Sequence, residues 1–248
     1  DRLGSSVAIS GGTVVGSAPY EDGYAGDPLA EFGAAYVFER DLGGPDEWGE
    51  SAILRAADPR ENDQFGYTVT IDGDSIVVGA PWQDGGPGDA LRDTGTATLF
   101  QRDAGGVGVW GEVVVLRASD PQEDDYFGIA VAVSGDTIAV GAAAEDGGAG
   151  DPAENSGSVY LFQKNLDPDG WGRRAILRPT GLEANDYFGL ALSLSGDTLF
   201  SGTPDDDGPA ADPTIDGGAV YAYLIPDQEV FSDGFESGNT TAWLLTLH

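Results

Sequence analysis

Four loops of this 248-residue chain place two carboxylates five residues apart across a glycine-rich bend. They read Glu21-Asp22-Gly23 with Asp27-Pro28, Asp84-Gly85 with Asp89, Glu145-Asp146-Gly147 with Asp151-Pro152, and Asp206-Asp207-Gly208 with Asp212-Pro213. A hard cation such as calcium takes roughly six to eight oxygen ligands, and paired carboxylates with backbone carbonyls and water supply such a shell. The candidate metal ligands are therefore Asp22, Asp27, Asp84, Asp89, Asp146, Asp151, Asp207 and Asp212, with calcium as the one cofactor they imply. Asp, Gly and Pro are also what any exposed turn selects, so solvated turns are the competing reading.

Other constellations carry less chemistry. Asn165-Leu166-Asp167-Pro168-Asp169-Gly170 imitates the start of an EF-hand loop, but Ile176 stands where the bidentate Glu belongs. A turn is expected there. Asp63, Asp125 and Asp186 recur in step with Arg55, Arg117 and Arg178, and an Asp–Arg pair fastening strand to connection would explain both.

The catalytic inventory is thin. His248 is the sole histidine and there is no cysteine, so neither a Ser-His-Asp nor a Cys-His arrangement is available. No glycine-rich phosphate loop leads into a helix. Paired acids could run glycoside hydrolysis, yet the acids repeat evenly and none is singled out. No enzyme is expected.

The net charge of −32 repels phosphate backbones and anionic lipid, so nucleic acid is excluded as a partner. No run approaches the ~18 apolar residues of a spanning helix, so no membrane insertion is expected. Lys164 is the only lysine among eleven cationic residues, a skew fitting a GC-rich bacterial genome as well as adaptation to salt. With no Met and with Asp1 first, a removed leader or upstream sequence is expected.

What positions the loops is a repeat. Phe65-Gly66, Phe127-Gly128 and Phe188-Gly189 follow Leu3-Gly4 at steps of 62, 62 and 61 residues. Trp48, Trp110 and Trp171 each precede a hydrophobic-Leu-Arg triplet, ending at Arg55, Arg117 and Arg178. Ser17-Ala18-Pro19, Gly79-Ala80-Pro81, Gly141-Ala142-Ala143 and Gly202-Thr203-Pro204 each close a β-branched run. In the second repeat Tyr67 to Ile71 alternates, Asp72-Gly73 supplies a hairpin turn, and Ser75 to Val78 follows as a buried strand. Gly95 to Phe100 is a third strand, and the segment with the Trp and Leu-Arg is a fourth. Four antiparallel strands per ~60-residue unit predict an all-β propeller, with Trp and Phe filling the space between blades.

On these residues the chain resembles the FG-GAP repeat family of integrin-α-type β-propellers, in its bacterial form. The resemblance covers residues 1 to about 225 and implies a secreted or cell-surface location and binding in place of catalysis. Integrin-type repeats carry a calcium loop between their first two strands. Here that connection is only Asp72-Gly73-Asp74 or Ser134-Gly135-Asp136, too short to wrap a cation.

The fourth repeat stops after its third strand, Ala219 to Tyr223, which gives fifteen strands. Two closures follow: an arc of a larger, seven-bladed propeller, or a four-bladed ring with Gln228 to Phe231 as the sixteenth strand. Residues 226–248 are set apart as a tail resembling short sorting segments of secreted bacterial proteins. The expected function is an extracellular or cell-surface binding or adhesion module whose loops take a protein or glycan, monomeric or within a longer chain. A calcium-stabilised structural spacer is the alternative, and a glycoside hydrolase the third.

Overall fold

The computed structural model describes residues 1–22, 31–84, 91–146, 153–166, 170–206, 217–225 and 245–246. It is built from four antiparallel sheets of four strands, one per repeat. Blade 1 holds β1 (Val7–Ser10), β2 (Thr13–Ala18), β3 (Ala34–Gly44) and β4 (Glu47–Leu54). Blade 2 holds β5 (Thr68–Asp72), β6 (Ser75–Ala80), β7 (Thr96–Gln101) and β8 (Gly111–Leu116). Blade 3 holds β9 (Phe127–Ser134), β10 (Thr137–Ala142), β11 (Ser158–Lys164) and β12 (Trp171–Leu177). Blade 4 holds β13 (Ala191–Ser195), β14 (Thr198–Thr203), β15 (Ala219–Leu224) and β16 (Leu245–Thr246). Among the described residues no helix is long and apolar enough to cross a membrane.

Two strand expectations change. The fourth blade has a fourth strand after all, because Leu245–Thr246 pairs with Ala222 and Tyr221 of β15. Gln228 to Phe231, the segment expected in that place, lies outside the described residues. The β5–β6 hairpin pairs Asp72 with Ser75, so its two turn residues are Gly73 and Asp74. Gly73 has φ 54°, the left-handed region a tight hairpin needs and a Cβ resists.

The first strands β1, β5, β9 and β13 contact one another in series, so they form the inner side of the array. Their hairpin turns are fastened blade to blade. Ser10 Oγ accepts the N–H of Gly73 at 3.0 Å, Asp72 Oδ2 that of Gly135 at 2.7 Å, and Ser134 Oγ that of Gly196 at 3.0 Å. Each fourth strand of blades 1 to 3 carries a register shift where it meets the third, a bulge that adds local twist.

The core lies between blades. Phe65, Val69 and Ile71 of blade 2 pack on Val15, Ala35, Val37 and Leu54 of blade 1. Phe127, Val131 and Val133 pack on Val77, Ala97, Leu99 and Leu116 in the same way. Phe188, Leu192 and Leu194 repeat it on Ala139, Val159 and Leu161. Phe127 meets Tyr160 edge-on at 5.3 Å and Phe162 at 6.2 Å, the geometry aromatic quadrupoles favour. Trp110 and Trp171 are buried in these interfaces as the repeat predicts, whereas Trp48 is 46% exposed.

The hairpin turns of β1–β2, β5–β6, β9–β10 and β13–β14 share one face of the array. The opposite face carries the loops after each second strand and the connections between blades. Any site built from the acidic loops therefore belongs to this loop face.

Candidate functional site

Each acidic loop leaves its second strand through a buried polar residue: Glu21, Gln83, Glu145 or Asp206. The backbone carbonyl of that residue accepts an N–H from the glycine that starts the third strand. The pairs are Gly33 to Glu21, Gly95 to Gln83, Gly157 to Glu145 and Gly218 to Asp206, at 2.9–3.1 Å. The next carboxylate closes the loop from inside. Asp22 Oδ1 accepts the N–H of Glu31 at 2.9 Å, Asp84 Oδ1 that of Asp93 at 3.2 Å, and Asp146 Oδ1 that of Asn155 at 2.9 Å.

Three of the eight candidate metal ligands are thus seen to hold backbone amides. Asp27, Asp89, Asp151, Asp207 and Asp212 lie outside the described residues. Among the described residues no group of three or more acids, histidines or cysteines gathers as a metal would need. In the EF-hand-like stretch, Asn165 donates its N–H to the Gly170 carbonyl at 2.5 Å, and residues 167–169 between them lie outside the described residues.

The expected Asp–Arg pairs are replaced by a different set. Asp63, Asp125 and Asp186 are buried and accept the N–H of the residue three before them: Arg60, Gln122 and Glu183. Burial pushes the carboxyls of Asp63 and Asp125 up to about 7 against the stabilising backbone hydrogen bond. The arginines turn instead to the buried residue opening the acidic loop. Arg55 Nη2 lies 2.8 Å from Glu21 Oε1, and Arg178 Nη2 lies 2.6 Å from Glu145 Oε1. Arg178 also reaches Asp120 at 3.2 Å. Burial depresses the Arg178 guanidinium, but its bonds to Glu145 and Asp120 outweigh that and raise it. In blade 2 Gln83 stands in the acid's place, and Arg117 is exposed. Sequence spacing alone hid this, because the partners are more than thirty residues apart.

Where the connections between blades cross the loop face, they form a cavity of about 630 Å³. Tyr126 and Tyr187 line it with Ile129, Ala144 and Leu190, and Arg92, Asp93, Asp124 and Asn155 supply polar groups. Both tyrosines precede a Phe-Gly pair and have left-handed backbones, at φ 55° and 56°. Arg2 and Gln64 share that conformation at the equivalent positions, so the strain belongs to the repeat. What is local to this cavity is an aromatic ring at two adjacent copies of the position.

The polar groups are held in place. Arg92 Nη2 lies 3.0 and 2.9 Å from the two oxygens of Asp124, and its Nε lies 3.7 Å from Asp93. The backbone bonds Asp124 to Arg92 and Tyr126 to Asp93 zip the two segments together. One blade further on, Asn155 Nδ2 donates to Asn185 Oδ1 at 3.0 Å in place of the ion pair. Beside Tyr126, the ring of Trp82 lies 4.6 Å from that of Tyr67 and 6.0 Å from that of Tyr126. None of these residues was singled out by the acidic spacing. The signal that would have found them is the residue before Phe-Gly, which is Arg, Gln, Tyr and Tyr along the chain.

An array of fixed amide and carboxylate groups beside aromatic faces is suited to hydrogen-bonding and stacking a polyhydroxylated ligand.

A family model described as FG-GAP repeat matches residues 48–100, 110–162 and 171–223. Each match begins at the Trp of one blade and ends in the third strand of the next, so it spans a blade interface. Among solved structures the fold is similar to a putative 6-phosphogluconolactonase from Bacteroides uniformis, at 13% identity and a TM-score of 0.53. That likeness covers 99% of this chain and 56% of the other. Saccharomyces cerevisiae Sqt1 is more remote, at 9% identity and a TM-score of 0.45, with 91% and 46% covered. The chain thus spans about half the length of these structures, and the likeness to the first of them is one of fold alone. No curated protein matches it.

Proposed function

The chain belongs to the FG-GAP repeat family, and from that premise we propose that it is a non-catalytic, extracellular or cell-surface module that binds a glycan at its loop face. The cavity between Tyr126 and Tyr187 carries this reading. Stacking against tyrosine and hydrogen bonds to Arg92, Asp93, Asp124 and Asn155 match the alternating apolar and hydroxyl surfaces of a sugar ring. The ion pair that already neutralises Asp124 leaves carboxylate oxygens able to accept further hydrogen bonds without a bare buried charge. Affinity at such a site comes from a few aromatic anchors, so avidity from repeated sugars would add to it.

A glycan array followed by calorimetry tests the proposal. The expected result is selective binding that Tyr126→Ala and Tyr187→Ala each weaken by about tenfold, as for loss of a stacking anchor. Binding that survives both substitutions, or an array with no hit, overturns it. Hydrolysis of the bound glycan would overturn the non-catalytic part.

A further inference from the structure

The tyrosine-lined cavity lies where blade 3 carries small residues and the other blades carry larger ones. Ala143-Ala144 ends the second strand of blade 3, at the place of Pro19-Tyr20, Pro81-Trp82 and Pro204-Asp205. In blade 1 the guanidinium of Arg2 lies over the ring of Tyr20, 4.1 Å from its centroid. Arg2 and Tyr126 occupy one position of the repeat, since they precede Leu3-Gly4 and Phe127-Gly128. Blade 1 therefore sets a cation of its own on an aromatic ring here. Blade 3 keeps an aromatic ring and, with Ala144 beside it, leaves the space open.

The lining of that space is negative. Arg92 is its one cation, against the carboxylates of Asp93, Asp124 and Asp205. Arg92 lies 3.7 Å from Asp93 and 2.9 Å from Asp124, so a single guanidinium faces three acids. Burial raises the pKa of the Tyr126 hydroxyl, and Asp124 and Asp93 raise it further, as for a ring held in a negative field. All eleven lysine and arginine residues lie among the described residues, so the undescribed stretches carry acids and neither of these cations. Such a cavity repels a uronate or a sulfate. It attracts an ammonium, which tyrosine faces and carboxylates both favour.

We propose that the cavity takes its glycan through a protonated amino group, on an amino sugar that is not N-acetylated. The ammonium is seated against Tyr126 and Tyr187, with Asp93, Asp124 and Asp205 as counter-charges. This rests on the glycan reading above and names the class of sugar. A lysine side chain would offer the ammonium but no hydroxyls for the polar groups of Arg92 and Asn155.

Calorimetry on the whole 248-residue chain tests the proposal, with a glucosamine oligomer, its N-acetylated form, a galacturonate oligomer and a lysine oligomer. It is run at two salt concentrations, at a pH where the amine is protonated and the carboxylates are not. The glucosamine oligomer is expected to bind at least about tenfold more tightly than its N-acetylated form, and less tightly as salt rises. The galacturonate oligomer should not bind. Asp205→Asn changes an exposed side chain and should weaken the glucosamine oligomer about threefold while leaving the N-acetylated form unchanged. Arg92→Gln removes the one cation and should strengthen the glucosamine oligomer by a similar factor. Equal or better binding of the N-acetylated or galacturonate oligomer overturns this inference and leaves the glycan reading standing, as do variants that shift both sugars alike. Binding of the lysine oligomer alone, or of nothing, overturns both.

Discussion

The backbone of Gly189 passes so close to Gly141 that a Cβ on Gly141 would sit 2.0 Å from the Gly189 carbonyl oxygen. This contact joins the two sequence signatures of the repeat, since Gly141 ends a second strand and Gly189 follows the Phe of the next blade. Backbone meets backbone there, so no side chain can yield. Gly141→Ala is expected to destabilise the protein by about 3 kcal/mol, at the upper end for overpacking. Gly79→Ala should behave alike against Gly128, while Gly202→Ala should change the stability of the single chain by less than about 0.5 kcal/mol. Urea denaturation of the three variants reads the contrast.

The ion pair between Arg178 and Glu145 is predicted to be asymmetric. Glu145 has no exposed surface, and Ser158 Oγ donates to the same carboxylate. Arg178→Met strips the charge partner from a buried carboxylate and should cost about 3 kcal/mol or more. Glu145→Gln reproduces the residue found at position 83 in blade 2 and leaves Arg178 its bond to Asp120, so it should cost about 1 kcal/mol. Denaturation midpoints at constant slope decide between equal and unequal losses. Equal losses would show that the pair is not buried as described.

The acid dependence of stability should run opposite to that of an ordinary salt-bridged protein at two positions. Burial raises Asp63 and Asp125 from the ordinary value of 3.8 to about 7, so the folded state holds their protons more tightly than the unfolded state. Their contribution is complete below the unfolded value and is lost as pH rises through about 7. Asp125→Asn keeps an oxygen to accept the Gln122 N–H and removes the titration. The variant should therefore gain stability relative to the parent between about pH 4 and about pH 8. Melting curves at several pH values measure this, and a difference that does not grow with pH would contradict the assignment.

Loop closure should depend on Asp84. Its bond to the Asp93 N–H fixes one side of the tyrosine-lined cavity, so Asp84→Ala should speed amide exchange at Asp93 and weaken glycan binding severalfold, the equivalent of about 1 kcal/mol. The same position reads the calcium expectation for Asp84 with Asp89. A calcium-dependent rise in melting temperature that Asp84→Asn abolishes would assign the ion to that loop.

Much of the fold was legible because a propeller blade repeats its packing problem. Phe65, Phe127 and Phe188 recur at near-constant steps since each must fill the same gap, and Trp110 and Trp171 follow for the same reason. The metal expectation rests on local spacing, and the second carboxylate of each pair, Asp27, Asp89, Asp151 or Asp212, lies outside the described residues. Asp22, Asp84 and Asp146 each spend an oxygen on an amide nine residues on. Asp63 was paired with the wrong class of partner because its burial depth is invisible in a one-dimensional pattern.

Composition and periodicity by themselves determined an acidic all-β array of four blades and most of the residues of its core. Those features follow from local rules, namely strand alternation, glycine turns and the need of each blade for a neighbour. Only the tertiary structure decided that Arg178 belongs to Glu145 and that Tyr126 and Tyr187 share a cavity. These relations join residues about thirty to sixty positions apart in the chain, and the way the blades stack in space sets them.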